Sequence, residues 1–167
     1  MLHIIKKSHT ALSVIFCVVF TSIANADTEQ AVFKETKLLT NACMTAIFVK
    51  KSDFSELLKH GYTKSNNRNF YKKKLEGRQS LLGKPLIGIG DKETGRFHRC
   101  SFAISFLANH TATNLVKVVT SVLQKAGYKE TKHKALARVF VKGSTKLTLK
   151  SSALYGTHAH VEIKLLK

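Results

Sequence analysis

The sequence predicts an α+β domain of two units, each a helix followed by three antiparallel strands (α-βββ-α-βββ). Together they would form one twisted antiparallel sheet with helices packed on one face. Two observations carry this. The phrase "LLKHGYTK" at 57–64 returns as "LQKAGYKE" at 123–130, and each copy ends a helical pattern on a glycine. Alternating, strand-like stretches then follow both copies, with connections short enough to make the strands antiparallel.

The N-terminal residues precede this plan. Lys6 and Lys7 are followed by the apolar run "ALSVIFCVVF" at 11–20 and by Ala24-Asn25-Ala26. Charge, apolar run and small-residue site are the parts of a secretory signal peptide. The run is shorter than the roughly 20 residues a spanning helix needs, which favours cleavage after Ala26 over a retained anchor. Cys17 lies inside the run without the small residues that precede a lipidated cysteine. The expected mature chain, 27–167, is periplasmic or secreted. Its length suits a single domain with one core, divided into similar halves at about 27–108 and 109–167.

The first unit opens with a helix expected from about Thr28 to Val49, where Leu39, Cys43, Ala46 and Ile47 recur at helical spacing. A short helix is expected in "SDFSELLKH", with Ser52 as N-cap and Asp53 and Glu56 in its first turn. Gly61 stops it, and Tyr62 leads into extended chain. Strands are expected in "NFYKKKL", "PLIGIG" and "RFHRCSFAISFL". In the third, Cys100, Phe102, Ile104 and Phe106 share a face.

The second unit repeats the order. Thr111 or Thr113 is the expected cap of a helix whose stripe is Leu115, Val119, Val122, Leu123 and Ala126. Gly127 ends it and Tyr128 leads out. "ALARVFVK", a turn at Gly143-Ser144, "KLTLKS" and "THAHVEIKLL" follow as strands. The last would turn Ala159, Val161, Ile163 and Leu165 inward.

Once Cys17 has left with the signal, Cys43 and Cys100 remain, and an even pair in an oxidising compartment implies a disulfide. It would tie the first helix to the third strand. The competing reading is a reactive Cys100 thiol assisted by His98, two positions away on the same strand face.

The net charge is +18, to which Lys6 and Lys7 contribute two charges. Such an excess speaks to partners rather than to fold. Residues 59–84 carry eight lysines and arginines against one acid, Glu76, and residues 125–150 carry eight against Glu130. Period-two geometry puts Arg68, Phe70, Lys72 and Lys74 on one strand face, and Leu136, Arg138, Phe140 and Lys142 on another. Cations interleaved with rings suit a polyanion, because the cations neutralise its charge and the rings offer stacking surface. Arg68, Lys72, Lys74, Arg138 and Lys142 are therefore the candidate anion-binding residues. The plainer alternatives are a solvated basic surface, or phenylalanines facing the core with lysines reaching past them.

A second constellation is "THAHVEIK". His158, His160 and Glu162 share a strand face, and an H-x-H pair beside a carboxylate can hold zinc or copper. No third ligand stands at a fixed spacing, although His98, His110 or His133 would qualify if the fold brought them near. These residues are weak metal candidates, and no cofactor is expected.

Enzyme signatures fail on inspection. "GRQSLLGKP" has five residues between Gly77 and Gly83 where a phosphate loop has four, and Pro85 stands where Ser or Thr is required. "GIGDKETG" has only G-x-G, and there is no G-x-S-x-G elbow. Asn109-His110-Thr111 is a glycosylation sequon, relevant only in a eukaryotic secretory pathway. The expected function is non-catalytic binding of an anionic partner: an acidic protein, lipopolysaccharide or another polyanion. The alternatives are an inhibitor or immunity-type protein that blocks another protein with a loop such as "DKETGRFH", and a small hydrolase using His158, His160 or His98.

Overall fold

A computed structural model describes residues 9–50, 53–65, 70–75, 86–90, 98–105, 109–131, 138–154 and 158–166. Helix α1 (His9–Val49) begins well before the expected Thr28. Neither glycine nor proline occurs between His9 and Val49, so the backbone carries no stop through the apolar run. Its buried stripe begins, among the described side chains, at Val32 and continues through Leu39, Cys43, Ala46 and Ile47. Thr36 and Thr40 lie in the same stripe. Each hydroxyl donates to the carbonyl four residues earlier, at 2.8 and 2.7 Å, which satisfies a donor that burial would otherwise leave unpaired. No helix among the described residues is long and apolar enough to cross a membrane.

The short helix is of the 3-10 type and spans Ser55–His60. Ser52 lies outside the described residues. Asp53 supports this end of the chain instead, its Oδ1 accepting from the Ser55 N–H at 3.0 Å. Strands β1 (Thr63–Lys64), β2 (Phe70–Lys74), β3 (Leu86–Gly90) and β4 (Arg99–Ser105) follow. Helix α2 (Asn109–Lys125) then leads to β5 (Lys129–Thr131), β6 (Arg138–Lys142), β7 (Thr145–Leu154) and β8 (His158–Leu166). Thr111 and Thr113 thus sit inside α2 rather than at its cap.

Among the described residues each unit has four strands, not the expected three. The additional ones, β1 and β5, are two and three residues long and exposed throughout, so they show no apolar alternation to read. The sheet order is β1-β2-β3-β4-β8-β7-β6-β5, and every pairing is antiparallel. The last strand of each unit therefore meets the other at the centre. In that pair Cys100 lies opposite Ile163, Phe102 opposite Val161, and Ile104 opposite Ala159. All six are buried, and α1 and α2 pack over this part of the sheet. Ile87 and Ile89 of β3 and Leu147 and Leu149 of β7 continue the buried face.

The repeated Gly-Tyr is one cap built twice. The Gly61 N–H donates to the Leu58 carbonyl at 3.1 Å and the Tyr62 N–H to that of Leu57 at 3.2 Å. Gly127 and Tyr128 donate to Gln124 and Leu123 at 2.9 and 3.0 Å. This is the Schellman arrangement, in which the residue after the helix adopts positive φ. Gly61 has φ 79° and Gly127 φ 88°, conformations that cost a side-chain-bearing residue dearly. The accompanying apolar contact pairs Leu57 with Tyr62 and Leu123 with Tyr128, all buried.

A lysine completes each cap. Lys73 Nζ lies 5.6 Å from the Tyr62 ring centre and Lys142 Nζ 5.8 Å from that of Tyr128. Their stems pass over Gly61 and Gly127. Beyond that the two sites differ. Lys142 Nζ donates to the exposed Ala126 carbonyl at 2.7 Å. Lys73 Nζ reaches Glu35 of α1 at 2.6 Å, and the Tyr62 hydroxyl donates to the other oxygen of that carboxylate at 2.9 Å. Glu35 is only 6% exposed, so its charge depends on these partners.

The disulfide expected between Cys43 and Cys100 is present and joins α1 to β4. It spans a sequence separation of 57, for which loop-closure entropy gives about 4 kcal/mol of stabilisation. It also overturns the reading of Cys100 as a nucleophilic thiol, since its sulfur is bonded within the core.

Tyr62 supplies a test of the α1 contact. Burial first, and the neighbouring Glu35 carboxylate second, hold its phenol well above the ordinary value of 10.0. The raised folded-state value means that the unfolded chain releases this proton first. The associated stability is complete below the unfolded value near 10 and declines as pH rises beyond it. Urea midpoints should therefore fall as pH rises from about 9 to about 11, and Tyr62→Phe should flatten that fall. An equally steep fall in the variant would remove Tyr62 from the account.

Candidate anion-binding face

With the helices on one face, strand register fixes what the opposite, open face displays. Lys72 and Lys74 of β2 are exposed there, opposite Gly88 and Leu86. Phe70 shares the face. Its ring tip lies over Gly88, so close that a Cβ at Gly88 would collide with the Phe70 ring. Arg68 lies outside the described residues. The first expected row is thus where the alternation put it.

The second row is on the wrong face for the expected role. Phe140 pairs with the core residue Leu147, which turns Arg138, Phe140 and Lys142 toward the helices. Phe140 is fully buried. Arg138 forms a bidentate pair with Glu130 at 2.5 and 2.6 Å and donates to Thr120 Oγ1 of α2 at 3.0 Å. Lys142 is held at the helix end, as above. The physical reason is burial: Phe140 fills the core beside α2, and its same-phase neighbours must follow. Arg138 and Lys142 thus make structural contacts on the helix side of the sheet, away from Lys72 and Lys74, and Leu136 lies outside the described residues.

The open face draws its second set of cations from strands that sequence reasoning did not select. Lys129 lies opposite Val141, which lies opposite Lys146. Lys150 stands opposite Glu162, and Arg99 opposite Lys164. All of these cations are exposed. A signal was present: once Leu147, Leu149, Val161 and Ile163 are taken as inward, the same alternation sends Lys146, Lys150 and Lys164 outward. Among the described residues Glu162 is the only acid on this face, and Arg99 Nη1 lies 3.3 Å from its Oε2.

His158 and His160 lie at the centre of the face, half-buried. Each is flanked on β4 by a small residue, Ser105 and Ala103 respectively. Among the described residues no three His, Cys, Asp or Glu side chains gather as a metal would require. The His98 carbonyl accepts from Leu165, seven positions along β8 from His158, or roughly 23 Å at strand rise. The side chains of His110 and His133, and the loop at 91–97, lie outside the described residues. Zinc and copper titrations should accordingly show only weak binding. Submicromolar affinity that disappears in His160→Ala would establish a metal site instead. Comparison with known proteins gave no match: no family model, curated protein or solved structure resembles this chain.

Proposed function

We propose that this chain is an exported, non-catalytic binding protein that holds an anionic partner against the open face of its sheet. One distribution supports the reading. Among the described residues six exposed lysines, Lys72, Lys74, Lys129, Lys146, Lys150 and Lys164, share that face with Arg99, against the single acid Glu162. Close like charges cost solvation and mutual repulsion, which a bound polyanion relieves while releasing its own counterions. An acidic protein, lipopolysaccharide or another polyanion has the required chemistry.

Position separates a site from general basicity. Lys72→Gln with Lys74→Gln removes two charges from the face, whereas Lys34→Gln with Lys37→Gln removes two from exposed positions of α1. At about 1 kcal/mol per lysine on an anionic surface, the first pair should lower affinity for heparin about thirtyfold. The second pair should change it little. Equal losses would show that the protein is merely basic. Binding should also weaken steeply with salt.

Export is supported by the charge, apolar run and small-residue site at the N-terminus, and by a disulfide that suits an oxidising compartment. The first described core side chain of α1 is Val32, so a cut after Ala26 removes none of the described core. Intact mass of the exported, unreduced protein should correspond to a start at Asp27. A mass that includes residues 1–26 would refute cleavage.

A further inference from the structure

The open-face cations are not spread evenly. Lys72 and Lys74 lie toward one end of β2, at the level of His160 and His158 on β8. Lys146 and Lys129 lie beyond the other end of the central strands, at the level of Leu166. Lys150 and Lys164 fall between. Joined in order, these groups form a diagonal band across the sheet. From Lys74 to Lys146 it crosses four strand spacings and eight residues of strand, roughly 30 Å. His160 and His158 lie beside it, in the rows of Lys72 and Lys74 and three strands away from them.

We propose, resting on the anion-binding reading above, that the partner is an unbranched anionic polysaccharide lying along this diagonal beside His158 and His160, and that its binding strengthens as those histidines protonate. A band of this length suits a chain with repeated charge better than a compact headgroup. The surface chemistry favours a glycan over single-stranded nucleic acid, whose bases call for stacking platforms. Phe70 is the one Phe, Tyr or Trp on this face among the described residues, and its tip is turned down onto Gly88. The rest of the floor offers hydroxyls, from Ser101, Ser105 and Ser152, which pair with sugar hydroxyls, carboxylates and sulfates.

The histidines are the titrating part of the band. Opposite His160 stand Ala103 on β4 and Ser152 on β7, and opposite His158 stand Ser105 and Leu154; none of the four carries a charge. Among the described residues, the charged groups of the face nearest to them are Glu162 and Lys164 on the same strand, Lys150 on β7, Arg99 on β4, and Lys72 and Lys74 on β2. Acidification from about pH 7.5 to about 5.5 crosses the ordinary range of histidine side chains and adds positive charge beside the polymer.

The probes are a heparin tetrasaccharide, shorter than the band, and a dodecasaccharide, long enough to span it. Their sulfates do not titrate in this range. The dodecasaccharide should bind about a hundredfold more tightly, the lower end of the gain when one ligand bridges two linked sites. That is well beyond the few-fold gain from having more registers. Its affinity should rise on acidification. The His158→Gln, His160→Gln double variant should lose that rise, and a urea midpoint close to that of the wild type at pH 7.5 would show that it is folded. Similar affinity for the two lengths, or an intact rise in the double variant, would overturn the proposal. So would tighter binding of a single-stranded oligonucleotide of equal charge, which would make nucleic acid the partner. If Lys72→Gln with Lys74→Gln still weakens binding in those cases, the anionic site stands and only its diagonal course and its glycan partner fall. If that pair has no effect, the site itself is wrong.

Discussion

The pairing of β4 with β8 sets the phase of everything else. It joins two chain segments far apart in sequence and places Cys100, Phe102 and Ile104 directly opposite Ile163, Val161 and Ala159. Because side chains alternate strictly, a slip of one residue would carry His158, His160 and Glu162 under the helices and expose a full apolar row. Burial of the six apolar residues forbids that slip. The disulfide then fixes α1 to the same strand, so helix position and strand phase are determined together. The open face is basic because the covered face is apolar, and both follow from one register.

Around this centre the two halves use matching hardware. Gly61, Tyr62 and Lys73 recur as Gly127, Tyr128 and Lys142, with the same hydrogen bonds and the same placement of lysine over ring. Such agreement is what two copies of one unit would give, and it reaches further than the eight-residue phrase in the sequence. The divergence is informative too. One lysine is committed to a buried carboxylate on α1, the other to a helix-end carbonyl. Glu35 sits where an unpartnered charge would be costly, and it makes Lys73 and Tyr62 part of the seat for α1.

The strands β2, β3, β4, β6, β7 and β8 were legible because apolar alternation or a turn such as Gly143-Ser144 marks each of them. The Cys43–Cys100 link was legible because helical spacing and strand alternation both aimed a cysteine inward. The edges were not: Thr63–Lys64 and Lys129–Thr131 bury nothing, so their pairing leaves no pattern in the residues. The face of Arg138, Phe140 and Lys142 was misjudged for a different reason. Alternation shows which residues travel together but not to which side, and the side is decided by the long-range pairing of Phe140 with Leu147. Of the expected site only Lys72 and Lys74 are therefore seen on the open face, and their partners come from Lys146, Lys150 and Lys164, which the inward residues of β7 and β8 imply.

The brevity of β1 and β5 also governs how the molecule meets its neighbours. A long, flat outer strand offers a row of unpaired amides and carbonyls on which another chain can add. Here the two margins are two and three residues long, and each carries a lysine, Lys64 and Lys129. An incoming strand would find few backbone partners and a repelling charge if it too were basic. The sheet is thereby protected against growing edge to edge, even at the high local concentrations that a shared polymer would create by gathering many copies along its length.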